Sequence, residues 1–144
     1  MSDSPIPPRE ILQSVWDRYV EAVNTSNAIA YGAIFTNDGI RVVTGQAPER
    51  GRDEITRNEQ ADYDEGDWTI APSIIDALQI SSDAIYGLAE VDVTISPHAG
   101  RSVVKKTIIA SWLILRQPTG EWLLSRHSAN VKSPTPDEAR DQAG

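Results

Sequence analysis

The sequence predicts an α+β fold in which three N-terminal helices pack on a curved, mainly antiparallel β-sheet that encloses an open cone. Two observations support this prediction. Apolar residues recur at helical spacing near the N-terminus, whereas from about residue 68 apolar and polar residues alternate in runs separated by turn signals. Helices that precede hairpin-connected strands are typical of α+β proteins. The 144 residues suit one domain with a substantial core.

The first predicted helix begins at Arg9 and ends at the turn-prone residues 24–27. Pro7 and Pro8 suit a first helical turn, where a missing N–H costs nothing. Apolar side chains spaced three and four residues apart form one stripe along this helix. The stripe comprises Leu12, Val15, Trp16, Tyr19, Val20 and Val23.

Two further helices are predicted. A short one covers about residues 28–35, with Asn27 as its N-cap, and it is followed by a turn at 37–39, a strand at 40–44 and a loop at 45–50. The third helix begins at Gly51 and ends near Glu65. Seven acidic residues and one base lie in residues 53–67, so most of this helix is expected to face solvent.

Four longer strands complete the predicted sheet at residues 68–80, 84–96, 103–116 and 121–131. The first of them is expected to kink or bulge near Pro72. The second has one wholly apolar face, so Glu90 and Asp92 on its other face are expected to point outward. Residues 108–115 are apolar on both faces. Because one helix layer covers only one face, the other is expected to form a homodimer interface.

Composition disfavours several classes of protein. The chain has no cysteine and two distant histidines, which leaves no disulfide and no metal-ligand spacing. A net charge of −8 disfavours nucleic acid and anionic membranes as partners. With no nucleotide motif, secretory signal or apolar span, we expect a cytoplasmic protein without cofactor. Residues 1–8 and 132–144 are expected to be flexible and to flank a domain at 9–131.

Four motifs carry a family resemblance: residues 16–24 (WDRYVEAVN), 35–39 (FTNDG), 51–55 (GRDEI) and 120–127 (GEWLLSRH). With the predicted element order, they resemble the nuclear-transport-factor-2-like (NTF2-like) superfamily of cystatin-like cones. Within it the chain is most similar to the SnoaL-like and DUF4440 (SgcJ/EcaC-type) bacterial proteins, over about residues 9–131. The resemblance implies a fold but no single function, because this fold carries isomerases, cyclases, dehydratases, hydrolases and non-catalytic domains.

The steroid isomerases of this superfamily offer a chemical template. Their oxyanion-stabilising tyrosine corresponds to Tyr19. Their general-base aspartate corresponds to Val43, their protonated aspartate to Trp112, and a supporting tyrosine to Glu59. Because two of the three chemical groups are missing, the resemblance implies that this chain is not a ketosteroid isomerase of the usual mechanism.

Four residues are candidates for acid–base chemistry: Tyr19, His127, Glu59 and Asp92. Tyr19 is either a hydrogen-bond donor to a ligand or a core residue. His127 is either a general acid or base or a structural histidine, and in an apolar cavity its pKa should fall and leave it neutral at pH 7. Glu59 is either a desolvated base or a solvated helix acid. Asp92, with Glu90, qualifies only if its strand face points into the cone.

The residues expected to wall the cone are Trp16, Phe35, Val43, Trp68, Trp112 and Ile114. They either shape a pocket or fill it. Two function classes follow, and the first is a homodimeric domain that binds a small hydrophobic molecule. The second is a cofactor-independent isomerase, cyclase or dehydratase for a small hydrophobic carbonyl compound. In that case Tyr19 would donate to the carbonyl while His127 exchanges a proton with the adjacent carbon.

Overall fold

A computed structural model describes residues 6–132 as one layer of helices against the concave face of one six-stranded sheet. The helices are α1 (Pro8–Asn24), α2 (Ala28–Gly32) and α3 (Arg52–Glu65). The strands are β1 (Phe35–Val43), β2 (Glu49–Arg50), β3 (Gly66–Ser81), β4 (Ala84–Pro97), β5 (Val104–Arg116) and β6 (Trp122–Val131). The predicted α+β cone is confirmed. Apart from residues 6–8 and 132, the two segments expected to be flexible lie outside the described residues.

The strand order is β2-β1-β6-β5-β4-β3. Strands β3 to β6 form an antiparallel meander, and β1 pairs parallel to β6 in the register Arg41↔His127. Side chains that are paired in register lie on the same face of a sheet. This pairing therefore places Arg41 and His127 together on the concave face, beneath the helices.

The chain after α2 differs from the prediction. Helix α2 has the expected Asn27 cap, whose side chain accepts from the Ala30 N–H at 3.0 Å, but it ends at Gly32. The carbonyl of Ile34 accepts a hydrogen bond from the Leu124 N–H at 2.8 Å, which draws the chain into the sheet. The predicted turn at 37–39 therefore lies within β1, as a register irregularity between Phe35 and Ile40.

Two smaller predictions concern strand structure. Residues 49–50 were expected in a loop but form the short strand β2. The irregularity expected near Pro72 lies between Ile74 and Asp76, and a second one lies between Gln79 and Ser81, whereas Pro72 itself keeps the regular register with Val91. Strand β3 is an edge of the sheet, where a proline without an N–H interrupts no inner ladder.

The core lies between α1 and the inner face of the sheet. The indole of Trp16 stacks on that of Trp112, with ring centroids 3.8 Å apart. Gly87 permits this approach of α1, since a Cβ there would lie 2.7 Å from Leu12. As predicted, the apolar face of β4 points inward, and Asp92 is exposed on the other face, where it accepts from the Thr107 hydroxyl at 3.0 Å.

Helix α3 is less solvated than the sequence predicts. Three of its side chains, Ile55, Glu59 and Tyr63, are buried. They are spaced four residues apart and so lie on one face of the helix. This face meets the concave side of the sheet and brings a carboxylate into the interior. Among residues 6–132, no helix has the length and apolar character that a membrane crossing requires.

Candidate functional site

The cone is open and contains a cavity of about 310 Å³ between α1, α3 and the sheet. Most of its wall is apolar, formed by Trp16, Val23, Val43, Trp68, Ile70, Val91, Val93, Ile95, Ile108, Ala129 and Val131. Polar side chains occupy the rest of the wall, namely Tyr19, Tyr31, Arg41, Gln46, Glu59, Asp62, Lys106 and His127. An apolar enclosure with a few convergent polar groups is the usual form of a small-molecule site.

Arg41 organises the polar end of the cavity. Its Nε and Nη2 donate to the two carboxylate oxygens of Glu49 at 2.6 and 2.7 Å. Its Nη1 donates to Glu59 Oε1 at 2.5 Å and to the Tyr31 hydroxyl at 2.8 Å. Asn58 supports the arrangement by donating to Glu49 Oε2 at 2.7 Å. Four of the five guanidinium N–H groups are thus engaged within the protein.

The ion pairs at Arg41 are buried. Arg41, Glu49 and Glu59 are 6%, 3% and 6% exposed. Burial alone would lower the pKa of Arg41, but Tyr31 and the two glutamates outweigh it and raise that pKa, so the guanidinium stays charged. Two carboxylates share one guanidinium, which leaves an excess of negative charge at this end of the cavity.

A chain of hydrogen bonds leads from Arg41 to His127. The Tyr31 and Tyr19 hydroxyls lie 2.8 Å apart, and the Tyr19 hydroxyl lies 3.0 Å from His127 Nε2. Burial raises the pKa values of both tyrosines, so both hydroxyls keep their protons near neutral pH. Tyr19 is held further by edge contact with Trp16, whose ring centroid lies 4.9 Å away.

The direction of these hydrogen bonds depends on the tautomer of His127. Arg41 can only donate, so the Tyr31 hydroxyl accepts from it. Backbone groups of Ser111 and Ser128 beside the imidazole favour a protonated ring, and Nδ1 makes no hydrogen bond of normal geometry within residues 6–132. With the ring proton on Nδ1, Nε2 accepts from Tyr19, and Tyr31 donates to the Tyr19 oxygen.

His127 is neutral at pH 7. Burial, followed by the charge of Arg41, lowers the pKa of His127 to about 3, in agreement with the expectation for a histidine in an apolar cavity. The ring is 3% exposed and is packed against Trp112 and Phe35, at centroid distances of 5.7 and 6.3 Å. A neutral imidazole can accept a proton, but Nε2 is already hydrogen-bonded to Tyr19.

Asp62 supplies a second kind of titratable group. It lies in the last turns of α3, half-buried, and lines the cavity. Burial and the neighbouring charge of Glu59 raise the pKa of Asp62 to about 6. This carboxyl therefore changes its charge close to neutral pH. No cluster of three or more His, Asp or Glu side chains suited to a metal ion is found among residues 6–132.

The structure brings together three of the four predicted acid–base residues. Tyr19, His127 and Glu59 converge on the cavity, and Glu59 is buried and paired with Arg41 rather than solvated. Asp92 does not belong to this site, because it points away from the cone into solvent.

Half of the predicted wall residues line the cavity. Trp16, Val43 and Trp68 do so. Phe35, Trp112 and Ile114 do not: they are at most 1% exposed and fill the closed end of the cone, where α1 and α2 approach the sheet.

The residues that sequence reasoning missed are Tyr31, Arg41, Glu49, Asp62 and Lys106. Residues 41 and 43 share one strand face, so placing residue 43 in the pocket was a signal that residue 41 lies there too.

The fold and the cavity together define the class of this protein: it is a cone-shaped α+β domain of the NTF2-like fold. No protein-family model and no curated protein matches its sequence. Similar solved structures include a ketosteroid isomerase-like protein from Erwinia carotovora atroseptica, which is 22% identical with a TM-score of 0.79 over 87% of this chain and 96% of that one.

Two other solved structures have the same architecture. One is a domain of unknown function with a cystatin-like fold from Nostoc punctiforme, 12% identical with a TM-score of 0.77 over 94% of this chain and 84% of that one. The other is the hexachlorocyclohexane dehydrochlorinase LinA-type3 from Novosphingobium barchaimii, 16% identical with a TM-score of 0.74 over 89% of this chain and 88% of that one. At these identities the similarity establishes the fold alone.

Proposed function

We propose that this domain binds a small, largely apolar molecule in the cavity, with a polar group of that molecule at the end formed by Tyr19 and Glu59. The observation that supports the proposal most directly is the cavity itself. About 310 Å³ of space lies among apolar side chains, where a domain without a ligand would be expected to close its core.

The buried ion pairs add a second argument. Placing a guanidinium and two carboxylates in the interior costs more free energy than apolar residues of similar volume would cost. Arg41, Glu49 and Glu59 carry that cost beside the cavity. Polar groups of this kind concentrate at functional sites, so we infer that they serve the bound molecule.

The proposal is tested by a thermal-shift screen of hydrophobic small molecules, followed by calorimetry on the hits. Val93→Phe adds volume to a buried wall position of the cavity and should remove binding. Ile80→Phe makes a comparable change at a residue that is 57% exposed and outside the cavity, so it should leave binding unchanged. Hits whose affinity is the same in both variants would contradict a site in the cavity.

A second candidate function is acid–base catalysis on a small hydrophobic carbonyl compound. Asp62 favours it, because a cavity carboxyl with a pKa of about 6 can accept or release a proton near neutral pH. The hydrogen bond between Tyr19 and His127 limits it, since a ligand carbonyl would have to displace His127 to receive the Tyr19 proton. The test is deuterium exchange at carbon adjacent to the carbonyl in a ketone panel. Exchange that Asp62→Asn leaves intact would exclude Asp62 as the base.

We also propose that two copies of the chain pair through the convex face of the sheet. This face lacks helical cover within residues 6–132 and carries exposed or half-buried apolar side chains, among them Val42, Tyr86, Leu88, Ile109 and Leu113. A contiguous apolar patch on a protein surface usually marks an interface. Light scattering should return about twice the chain mass of 15.8 kDa. A monomer mass at micromolar concentration would refute pairing.

A further inference from the structure

The polar end of the cavity is rich in acceptors and poor in donors. In the Nδ1–H tautomer of His127, Tyr31 donates its proton to Tyr19 and Tyr19 donates its proton to His127 Nε2. The Tyr19 oxygen, which is part of a side chain 8% exposed, keeps one lone pair. Tyr19 can therefore accept another hydrogen bond without any change in the network, whereas donating one would break its bond to His127.

Glu59 offers a second acceptor. Arg41 occupies its Oε1, whereas Oε2 makes no hydrogen bond of normal geometry among residues 6–132. The Tyr63 hydroxyl lies close to this carboxylate: burial, the charge of Glu59 and a hydrogen bond to Glu59 raise the pKa of Tyr63, although that bond lacks normal geometry. Glu59 is 6% exposed and lines the cavity. Because a carboxylate oxygen has two lone pairs, Oε2 can accept from a ligand donor as well as from Tyr63.

The charges of the side chains around the cavity also favour a ligand that donates hydrogen bonds. The carboxylates at and beside the cavity are Glu49, Glu59 and Asp62, and the cations are Arg41 and Lys106. The positive charge of Arg41 is neutralised by its ion pairs with Glu49 and Glu59. Lys106 is half-buried, and its ammonium lies 5.5 Å from the centroid of the Trp68 ring. The last turns of α3, which carry no basic residue in the final turn, add the negative end of a helix dipole beside Asp62.

We propose that the molecule bound by the cavity is a hydrophobic amine in its protonated form, whose ammonium donates to Glu59 and Tyr19 while its apolar body lies along β3, β4 and β5. This inference rests on the proposed binding function and names its ligand class. Asp62 contributes negative charge to the wall of the cavity. A ketone presents only acceptors to these oxygens, and a carboxylate adds a further negative charge.

The test uses four probes with one aromatic body: 2-naphthylmethylamine, 2-naphthylmethanol, 2-acetonaphthone and 2-naphthoate. Their affinities are measured by titration calorimetry at pH 7.5 and low salt. The amine should bind at least tenfold more tightly than the ketone, the alcohol should be intermediate, and the naphthoate should be weakest. Asp62→Asn should weaken amine binding about tenfold and change ketone binding less than twofold. Asp76→Asn removes the same charge at an exposed residue outside the cavity and should change neither.

Glu59→Gln perturbs the site more strongly than Asp62→Asn does. Because Glu59 pairs with Arg41, the fold of the Glu59→Gln variant is first checked by near-ultraviolet circular dichroism. Asp62 makes no ion pair with the described residues 6–132, so Asp62→Asn keeps the test valid if Glu59→Gln does not fold. Ketone or naphthoate binding as tight as amine binding would overturn the amine inference and leave the binding function standing. Absence of binding by all four probes at millimolar concentration would overturn both.

Discussion

Acidification from pH 7 to pH 5 should destabilise the protein through His127. In the unfolded chain a histidine titrates near pH 6.5, whereas in the folded protein burial and the charge of Arg41 lower the pKa of His127 to about 3. Between pH 6.5 and pH 3, His127 therefore binds a proton in the unfolded state but not in the folded state. Stability from this residue is complete above pH 6.5 and is lost as the pH falls from 6.5 toward 3.

The magnitude follows from the two pKa values. At pH 5 the unfolded histidine is almost fully protonated and the folded one is almost fully neutral, which lowers the free energy of unfolding by about 2 kcal/mol relative to pH 7. His127→Gln removes this titration while keeping an amide that can accept from Tyr19. The assay is urea unfolding of both proteins at half-unit steps from pH 7.5 to pH 5.

The comparison between the two proteins isolates His127, because the carboxyl groups titrate alike in both. The stability difference between wild type and variant should shrink by about 2 kcal/mol between pH 7 and pH 5. His98→Gln is the contrasting control: a hydrogen bond to Asp67 raises the pKa of this exposed histidine, so the stability it contributes is present at pH 5 and is lost as the pH rises, with the opposite sign to His127. An equal loss of stability in wild type and His127→Gln over this range would refute a neutral, buried His127.

Three further predictions concern the charges of the site and the convex face. Asp62→Asn should stabilise the protein at pH 7 by roughly 1 kcal/mol, a value reduced from the full shift because the group is half exposed. Since the folded pKa of Asp62 is raised from 3.8 to about 6, the gain should appear as the pH rises through this interval and vanish below it, as urea unfolding would show. Arg41→Met should cost about 3–5 kcal/mol, because it leaves Glu49 and Glu59 buried without a counter-ion; chemical denaturation yielding a cost under 1 kcal/mol would contradict the buried pairs. If the chain pairs as proposed, Leu113→Asp should convert the proposed dimer to a monomer in sedimentation velocity without a change in far-ultraviolet circular dichroism, and an unchanged sedimentation coefficient would contradict an interface at Leu113.

The fold could be predicted from the sequence because its signals are local and repeated. The apolar stripe of α1 and the alternation of β4 each involve many residues that agree with one period. The wrong predictions concern segments whose local structure is decided by one contact with a residue far away in the sequence. The residues after α2 join the sheet because the Ile34 carbonyl accepts a hydrogen bond from the Leu124 N–H. No pattern in the sequence around Ile34 predicts that hydrogen bond.

The polar half of the site was harder to predict for the same reason. Arg41 lies near the end of β1, where an arginine usually faces solvent. Its burial depends on the parallel pairing of β1 with β6 and on carboxylates supplied by β2 and α3. Asp62 is one of seven acids in residues 53–67, and only its position beside the cavity sets it apart. Tyr19 was identifiable because the apolar stripe fixes the direction of its side chain, and the family resemblance supplied its chemistry.

The central claim, that the cavity binds a small molecule, is tested most directly by where such a molecule makes contact in solution. The measurement is a set of intermolecular nuclear Overhauser effects between 2-naphthylmethylamine and the methyl groups of the isotope-labelled protein. The account predicts contacts from the naphthyl protons to the methyl groups of Ile70, Val93 and Ile108, which line the cavity. Contacts confined to Val42 and Leu113 on the convex face would contradict it.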